Sequence, residues 1–226
     1  RIAADAARGL DHAHRKNDRA GAPLHLVHRD VSPHNLVVTY EGTTKVVDFG
    51  IAKAGSSADE TRAGVVKGKL RYMSPEQASG VGIDHRSDQF SLAIVLWEML
   101  TMRRFHADAE DRGVIRYLMG GRFTQPRSLV ATVPVELDDI VLRALALDPE
   151  GRYSDCAAFA DALEEFVEIA RLRATPPRVG AFLRELFGPS RADVMLRVSA
   201  PTVALAAASS GTASGEEGAA LEAGHA

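Results

Sequence analysis

A run of apolar residues between Asp88 and Met102 is the feature that most constrains how this chain can fold. It contains the stretch FSLAIVLWEML, which is apolar on every side when it is placed on a helix. A helix of this kind has to be buried on all of its faces, because any face turned to water would leave apolar surface exposed. The sequence therefore predicts a central helix that other elements surround.

The neighbouring segments are mostly helical in pattern. Their apolar residues recur at three- and four-residue intervals, which indicates amphipathic helices. These segments are the opening stretch IAADAARGLDHAH, residues 108–119, a segment that starts at Pro134 and another that starts at Ser154. Two short strands are also predicted, at 36–39 and 45–47, joined across Glu41-Gly42. We therefore expect an α+β fold that is mostly α.

The two ends of the chain differ in character from its centre. The chain starts at Arg1, inside a helical pattern with no capping residue ahead of it, so we expect it to be part of a longer reading frame. From about Pro189 the sequence is rich in Ala, Gly and Ser and has no aromatic residue, a composition typical of disorder. We expect one domain at 1–187 and a disordered tail at 188–226.

Composition excludes several classes of partner. The 226 residues carry a formal charge of -3 and give a pI near 6.3, which provides no basic field for a nucleic acid. No run approaches the roughly 20 apolar residues that a membrane-spanning helix needs, so no membrane segment is expected. Cys156 is the sole cysteine, which rules out an internal disulfide and favours a reducing cytoplasmic location.

Two motifs that flank the predicted hairpin carry the chemistry. H-R-D-x-x-x-x-N at 28–35 precedes the first strand, and D-F-G at 48–50 follows the second. Phosphoryl transfer needs Mg²⁺ held against phosphates and a carboxylate that orients the attacking hydroxyl and accepts its proton. Carboxylate and amide oxygens suit Mg²⁺, and a hairpin returns both of its ends to one side. We therefore expect Asp30, Asn35 and Asp48 to lie close together.

With these motifs the sequence resembles the C-terminal lobe of a eukaryotic-type protein kinase, most similar to bacterial Ser/Thr kinases, over about residues 1–187. The resemblance implies that Asp30 is the catalytic base and that Asn35 and Asp48 hold Mg²⁺ and, through it, ATP. It also implies transfer of the γ-phosphate to a Ser or Thr hydroxyl of a protein substrate. Pro33, where Tyr-specific relatives usually carry a different residue, favours Ser/Thr.

Further positions match the family outside the two motifs. Glu76, in the sequence S-P-E, stands where the family has A-P-E. The resemblance implies that Arg152 pairs with it in a buried, bidentate, charge-assisted contact. It also implies that Asp88 braces the catalytic loop, and that His28 and Phe49 belong to a stacked apolar spine.

Residues from about 55 to 68 are small, polar and aperiodic, which predicts a mobile loop. The resemblance makes this segment the activation loop and Arg29 the receiver of a phosphate on it. The available hydroxyls are those of Thr61, which we prefer as the phosphorylation site, Ser56 and Ser57. Each of them taken singly is equally compatible with ordinary loop composition.

Two residue types look exchanged relative to the family. Its Ser/Thr members usually have a Lys two residues after the catalytic Asp and a Thr after the Gly ahead of A-P-E, where this chain has Ser32 and Lys69. Since these two positions lie close together in the family, we hypothesise that the Lys69 ammonium replaces the missing cation at the transferring phosphate, while the Ser32 hydroxyl replaces the hydrogen-bonding partner. The alternative is that Lys69 points to solvent.

The chain lacks the Gly-rich loop and the lysine with which the family covers ATP, so the resemblance implies an N-terminal lobe upstream. Two rival functions stay open. One is a non-catalytic truncated lobe that acts as a protein-binding module, which the intact Asp30, Asn35 and Asp48 disfavour. The other is a small-molecule phosphotransferase of related fold, which the D-F-G and S-P-E elements disfavour.

Overall fold

The computed structural model describes residues 1–49, 70–106 and 111–189. In these ranges the chain is mostly helical, with one small sheet. The helices are α1 (Ile2–His14), α2 (Pro75–Ser79), α3 (Arg86–Thr101), α4 (Asp111–Gly120), α5 (Pro126–Leu129), α6 (Val135–Ala144), α7 (Cys156–Ile169) and α8 (Pro176–Phe187). The strands are β1 (Leu36–Val38) and β2 (Thr44–Val46). This architecture confirms the α+β, mostly α, prediction.

Helix α3 occupies the centre of the fold. Every residue from Ser87 to Trp97 is buried, and α3 packs against α1, α5, α6 and α7. The indole N–H of Trp97 donates to the carbonyl of Thr124 at 2.7 Å, which satisfies the polar atom of this buried ring. The predicted central helix is therefore present, and it begins two residues before Asp88.

Helix α1 packs along α7 and against β2. Its buried face consists largely of alanines, followed by Leu10, and small side chains allow helices to approach closely. This packing brings the C-terminal end of α1, at His14, beside the start of α3. The central helix and the segment that leads to the catalytic motif are thereby held by the same core.

The strands β1 and β2 form an antiparallel hairpin in which Leu36 lies opposite Val46. Both predicted strands are present. Each ends one residue earlier than the pattern indicated, and β2 also begins one residue earlier. Thr39 belongs to the turn instead of the strand, because its N–H bonds to Thr43 and its carbonyl accepts from Gly42. Turn hydrogen bonds of this kind are not visible as an alternation of apolar residues.

The sequence contains the motif S-P-E at 74–76, but its pattern did not predict the short helix α2 that begins within it. The Ser74 side chain accepts from the Gln77 N–H, and the Gln77 side chain accepts from the Ser74 N–H. With Pro75 in the first helical turn, this is a capping box, whose sequence signature S-P-E-Q could have identified the helix start.

The chain forms two compact units, Arg1–Phe182 and Leu183–Ala226. The first unit contains every strand and helix named above up to the middle of α8. The described part of the second unit is the end of α8 and the two residues that follow it. Most of the predicted tail at 188–226 lies outside the described residues, so its disorder stays a prediction. Within the described ranges, no helix combines the length and the apolar character needed to cross a bilayer.

The start of α8 packs against the hairpin turn at a glycine. A Cβ added at Gly180 would overlap the carbonyl of Tyr40. We expect Gly180→Ala to lower the free energy of unfolding by about 1–3 kcal/mol, since backbone atoms have to move. Denaturant unfolding followed by the fluorescence of Trp97, the only tryptophan, measures this change.

Gly120→Ala is the matched control for Gly180→Ala. Gly120 is also helical, but a Cβ there meets nothing within 4 Å. This variant should be unchanged in stability or gain up to about 1 kcal/mol. Equal stability of the two variants would contradict the tight contact between α8 and the turn.

Candidate active site

The segment between α1 and β1 contains the first predicted motif. After a loop closed by a bridge between Asn17 and Pro23, the chain runs through Asp30 into a single 3₁₀ turn, Pro33–Asn35, that leads directly into β1. Pro33 at the first position of the turn fits its fixed backbone angle. The side chain of Ser32, the residue before the turn, makes no capping bond to it.

Asn35 is tied to the loop that carries Asp30. Its side-chain N–H donates to the main-chain carbonyl of Asp30 at 2.7 Å, and its backbone N–H donates to the carbonyl of Ser32 at 3.0 Å. Because the amide nitrogen is engaged in this way, the amide oxygen is the atom of Asn35 suited to a cation.

Asp48 lies just after the end of β2, which runs beside the segment that carries Asn35. The N–H of Val47 donates to the carbonyl of Asn35 at 3.0 Å, one step beyond the last residue pair of the hairpin. Asp48 follows with φ of 58°, a left-handed conformation that an Asp adopts more readily than most residues. Its side chain is exposed. The hairpin therefore brings the ends that bear Asn35 and Asp48 together.

His28 connects the two motifs through a fully buried ring. Its Nε2 lies 2.9 Å from the carbonyl of Val47, and its Nδ1 lies 3.2 Å from the N–H of Asp30. The assignment that satisfies both contacts places the proton on Nε2, so that Nδ1 accepts. The ring also packs against Phe49 with centroids 4.5 Å apart, as the resemblance implied for the spine.

The Asp88 side chain contacts the main chain just before Asp30. Its carboxylate is fully buried and accepts the N–H of His28 at 2.7 Å and that of Arg29 at 2.8 Å. Arg29 has φ of 62°, an uncommon conformation for a long side chain that needs support from its surroundings. These are the contacts that the resemblance implied for Asp88.

Glu76 and Arg152 form the predicted bidentate pair. Two guanidinium nitrogens donate to the two carboxylate oxygens at 2.7 and 2.9 Å, and the Ser87 hydroxyl donates to the same carboxylate at 2.7 Å. Burial alone would raise the pKa of Glu76, but the hydrogen bonds from Arg152 and Ser87 outweigh it and hold this pKa below its ordinary value.

Gln77 contacts the loop that carries Asp30, which the sequence did not reveal. Its side-chain N–H donates to the carbonyl of Arg29 at 3.0 Å, while its side-chain oxygen caps α2. One amide thereby joins the loop that carries Asp30 to the helix that contains Glu76. The capping signature could have indicated the second of these bonds, but no pattern in the sequence indicates the first.

The oxygen donors at this site fit a metal that is held partly by a substrate. Among the described residues no cluster of three or more His, Cys, Asp or Glu side chains could hold a metal ion by itself. Asn35 and Asp48 supply an amide and a carboxylate oxygen, and Mg²⁺ commonly takes one or two such protein ligands together with phosphates and water. The residues present therefore fit Mg²⁺ bound with a nucleotide.

An apolar groove of about 440 Å³ lies beside the start of α1. Its apolar walls come from the 3₁₀ turn, the hairpin, α1 and α3, and the residues are Ile2, Pro33, Leu36, Val38, Val95, Met99 and Met102. Met99 is 42% and Met102 87% exposed. Large apolar side chains that line an open groove are typical of a surface that another element covers.

The predicted site residues divide into two groups. Asp30, Ser32, Asn35 and Asp48 are described, and the contacts above join their segments. Lys69 lies outside the described residues, as do the hydroxyls predicted for the activation loop, Ser56, Ser57 and Thr61. The exchange hypothesis and the phosphorylation site therefore stay predictions.

Comparison with known proteins gives a consistent result. The sequence profile of the protein kinase domain matches residues 1–165.

The chain is similar to several individual kinases. It is 47% identical over 219 residues to tyrosine-protein kinase MasK of Myxococcus xanthus, and this alignment covers 96% of the chain and 34% of that protein. It is 37% identical over 164 residues to serine/threonine-protein kinase Pkn1 of Myxococcus xanthus, covering 69% of the chain and 23% of that protein. It is 32% identical over 176 residues to serine/threonine-protein kinase PknL of Mycobacterium tuberculosis, covering 76% and 42%. The chain thus spans less than half the length of each of these relatives.

Proposed function

This chain belongs to the protein kinase family, and on that premise we propose that it is the C-terminal lobe of a protein kinase that transfers the γ-phosphate of Mg-ATP to a Ser or Thr hydroxyl of a protein. The observation that carries the proposal is the set of hydrogen bonds that joins the Asp30 loop to the end of β2. His28 and Asn35 each contact both segments. Such an arrangement supports an acid-base group and metal ligands that act on one substrate.

The residue roles follow from their chemistry. The Asp30 carboxylate accepts the proton of the substrate hydroxyl, while the hydroxyl oxygen forms a bond to the γ-phosphorus and the bond to ADP breaks. Asn35 and Asp48 are proposed as the Mg²⁺ ligands. The metal, when bound, offsets the negative charge that the phosphate oxygens carry during transfer. These residues do not need to form a covalent intermediate, because positioning and charge stabilisation account for most of the catalysis.

We also propose that Lys69 supplies the cation at the transferring phosphate. In the family this cation is usually a Lys at the position of Ser32. The buried position of Ser32, next to the loop that carries Asp30, is suited to a hydroxyl and would not accommodate a solvated ammonium without cost. Lys69→Ala should lower kcat by about 10- to 100-fold because a cation near the phosphate is lost. Lys69→Thr should behave in the same way.

Lys45→Ala provides a matched control for the lysine substitution. Lys45 is an exposed lysine on β2, so its removal should leave kcat within about twofold of the parent. Steady-state kinetics of Lys69→Ala, Lys69→Thr and Lys45→Ala in the full-length protein test the proposed role of Lys69. A Lys69→Ala enzyme with parental turnover would refute the exchange.

We propose that an ATP-covering N-terminal lobe precedes this chain in the complete protein. The alignments that cover 34% of MasK and 23% of Pkn1 support a longer protein. The groove beside the start of α1 supports it as well, because its exposed methionines would be covered by an upstream element. The ATP requirement and a lone buried Cys156, which needs no oxidising compartment, support a cytoplasmic location.

The hydroxyl specificity has a second candidate. The relative with 47% identity is named a tyrosine-protein kinase, which favours Tyr as the acceptor. Several other relatives, including Pkn1 and PknL, are named serine/threonine kinases, and the family resemblance at Pro33 agrees with them. We therefore propose Ser/Thr as the main acceptor and Tyr as the alternative.

One experiment tests both the reaction and its specificity. The full-length protein is incubated with radiolabelled ATP, Mg²⁺ and a mixture of protein substrates, and the labelled protein is hydrolysed to its phosphoamino acids. Phosphoserine and phosphothreonine are the expected products, and phosphotyrosine alone would establish the alternative specificity. No transfer to protein above that of an Asp30→Asn control would favour the binding module, and transfer to small molecules only would favour the related phosphotransferases.

A further inference from the structure

The turn that joins β1 to β2 is covered by another part of the chain. Gly42, within the turn, is buried and has φ of 84°, and its N–H donates to the carbonyl of Thr39 at 2.8 Å. Thr44, the first residue of β2, is buried as well. Turns usually lie at the surface, so burial at this end of the hairpin requires a neighbouring element.

That element is the start of α8, residues 176–182, which meets the turn backbone against backbone. A Cβ added at Gly42 would overlap the carbonyl of Pro176, and a Cβ added at Gly180 would overlap the carbonyl of Tyr40. Each side therefore contributes a glycine that a carbonyl of the other side approaches. Because main-chain atoms have little freedom to move aside, this fit fixes the turn and the helix relative to each other.

The start of α8 is itself tied to the core through α7, which packs along α1. In the link between the two helices, the N–H of Leu172 donates to the carbonyl of Val167 in α7 at 2.9 Å. At the end of the link, the carbonyl of Thr175 accepts the N–H groups of Arg178 and Val179 at 3.0 and 3.1 Å. The turn is thereby connected to the core by a second route besides its own strands.

The hairpin is too short to keep its geometry without such support. Its three residue pairs span about 10 Å, and a two-stranded hairpin is marginally stable unless it packs against other elements. At the end away from the turn, the N–H of Val47 donates to the carbonyl of Asn35 at 3.0 Å, and Asp48 follows. A shift of the turn is therefore transmitted along the paired strands to these residues.

We propose that the start of α8 is a positioning element for catalysis, which holds the hairpin turn so that Asn35 and Asp48 keep the separation that Mg²⁺ requires. This proposal rests on the proposed kinase function, and it assigns to α8 no contact with ATP or with the metal. Mg²⁺ demands near-ideal octahedral geometry, so a shift of either ligand should weaken its binding. Helix α8 lies beyond residue 165, where the match to the kinase profile ends, so the catalytic unit is longer than that match.

The test uses alanine variants of the full-length protein, at a temperature at which each variant is folded. Gly42→Ala and Gly180→Ala each place a methyl group between α8 and the turn. We expect each to raise the Mg²⁺ concentration for half-maximal rate at least about fivefold. At saturating Mg²⁺, kcat should recover to within about threefold of the parent, because the residue proposed as the base is unchanged.

Two controls match these substitutions. Gly120 is helical like Gly180. Gly21 has φ of 88°, close to the 84° of Gly42. An added Cβ at Gly120 or Gly21 meets nothing within 4 Å, so Gly120→Ala and Gly21→Ala should keep the Mg²⁺ requirement within about twofold of the parent. The comparison separates the contact with α8 from the ordinary cost of replacing a glycine.

The double variant Gly42→Ala/Gly180→Ala gives a further readout. If each substitution acts by separating the same two segments, the second adds little once the first is present. We therefore expect the Mg²⁺ requirement of the double variant to lie within about twofold of that of the more affected single variant. A requirement equal to the product of the two single effects would refute a shared mechanism.

Hydrogen exchange at residue level gives a readout that is independent of kinase activity. The amide of Val47 should exchange at least about tenfold faster in Gly180→Ala, whereas the amide of His28, which donates to Asp88, should keep its parental rate. Equal acceleration at both amides would indicate a general loss of stability and would contradict the proposal. If the parent shows no phosphoryl transfer, the proposed function fails, and the exchange rates alone decide the role of α8.

Two further results would overturn the proposal. One is a Gly180→Ala protein with the parental Mg²⁺ requirement and parental exchange at Val47. The other is an equal change in Gly180→Ala and its control Gly120→Ala. Should either variant at the contact not fold, Pro176→Gly takes its place, because it loosens the first turn of α8 without adding an atom, and the same criteria apply to it.

Discussion

Asp30→Asn in the full-length protein should reduce phosphoryl transfer by about 10²- to 10⁴-fold. An amide cannot accept the proton of the attacking hydroxyl, but it occupies almost the same volume as the carboxylate. The bonds that link this residue to His28 and Asn35 use its main-chain N–H and carbonyl, which the substitution retains. We therefore expect kcat to fall while the KM for ATP stays within about twofold, as measured by initial rates of radiolabel transfer.

A matched control for this substitution is Asp161→Asn. Asp161 is an exposed residue on α7 whose side chain pairs with Arg8, so its change should leave turnover within about twofold. A second comparison is Asp48→Asn, which should raise the Mg²⁺ concentration needed for half-maximal rate, because the substitution weakens the proposed metal ligand. Transfer by Asp30→Asn at the rate of the Asp161→Asn control would remove Asp30 from the mechanism.

Arg152→Met should lower the free energy of unfolding by about 3–5 kcal/mol, the range for removal of one partner from a buried ion pair. The Arg152 side chain is fully buried and that of Glu76 is 7% exposed. The guanidinium also donates to the main-chain carbonyls of Arg86, Ala146 and Leu147, so several acceptors lose their donor together. Denaturant unfolding followed by Trp97 fluorescence measures the loss.

The loss caused by Arg152→Met should depend on pH. The pKa of Glu76 is held below its ordinary value of 4.5, so this group contributes stability above pH 4.5 that is lost as the pH falls through the lowered value. Without Arg152, the buried Glu76 loses that benefit at neutral pH but becomes neutral on acidification. The difference in unfolding free energy between the parent and Arg152→Met should therefore shrink below about pH 4.5.

Arg86→Met serves as the control for Arg152→Met. The Arg86 side chain is 19% exposed and pairs with Asp84 and Glu150, which are 36% and 78% exposed; pairs whose carboxylates reach solvent in this way contribute about 0–1 kcal/mol. A loss of similar size in the two variants, or a pH-independent loss in Arg152→Met, would contradict the assignment of the Glu76–Arg152 pair as a buried charge-assisted contact.

The sequence allowed the parts of the fold that depend on local periodicity to be predicted. The central helix α3 followed from uninterrupted apolar character, and the hairpin followed from strand propensity around a glycine turn. The ends of these elements shifted by one or two residues, because capping and turn hydrogen bonds decide them. The short helix α2 was missed as a helix although its capping residues were present.

The sequence predicted the residues of the candidate site only where a motif or the family resemblance identified them. The convergence of Asn35 and Asp48 followed from the hairpin alone, but the pairing of Glu76 with Arg152, which are 76 positions apart, depended on the family resemblance. The contact between His14 and Asp88 and the bond from the Gln77 side chain to the carbonyl of Arg29 have no sequence signature. They arise where α1 and α2 pack beside α3 and the loop that carries Asp30, and a single His or Gln gives no periodic signal of such packing.

The imidazole of His28 has a consequence for how this protein could be switched off. If the segment after β2 moved by a few ångströms, the ring would lose its acceptor at Val47 and a buried donor would be left unpaired, at a cost of about 1–3 kcal/mol. Restoring that donor would require the ring to turn, which would remove the acceptor of the Asp30 N–H. We therefore expect Asp48 and Asp30, the proposed metal ligand and base, to leave their working positions in one concerted step, so that half-active molecules are scarce.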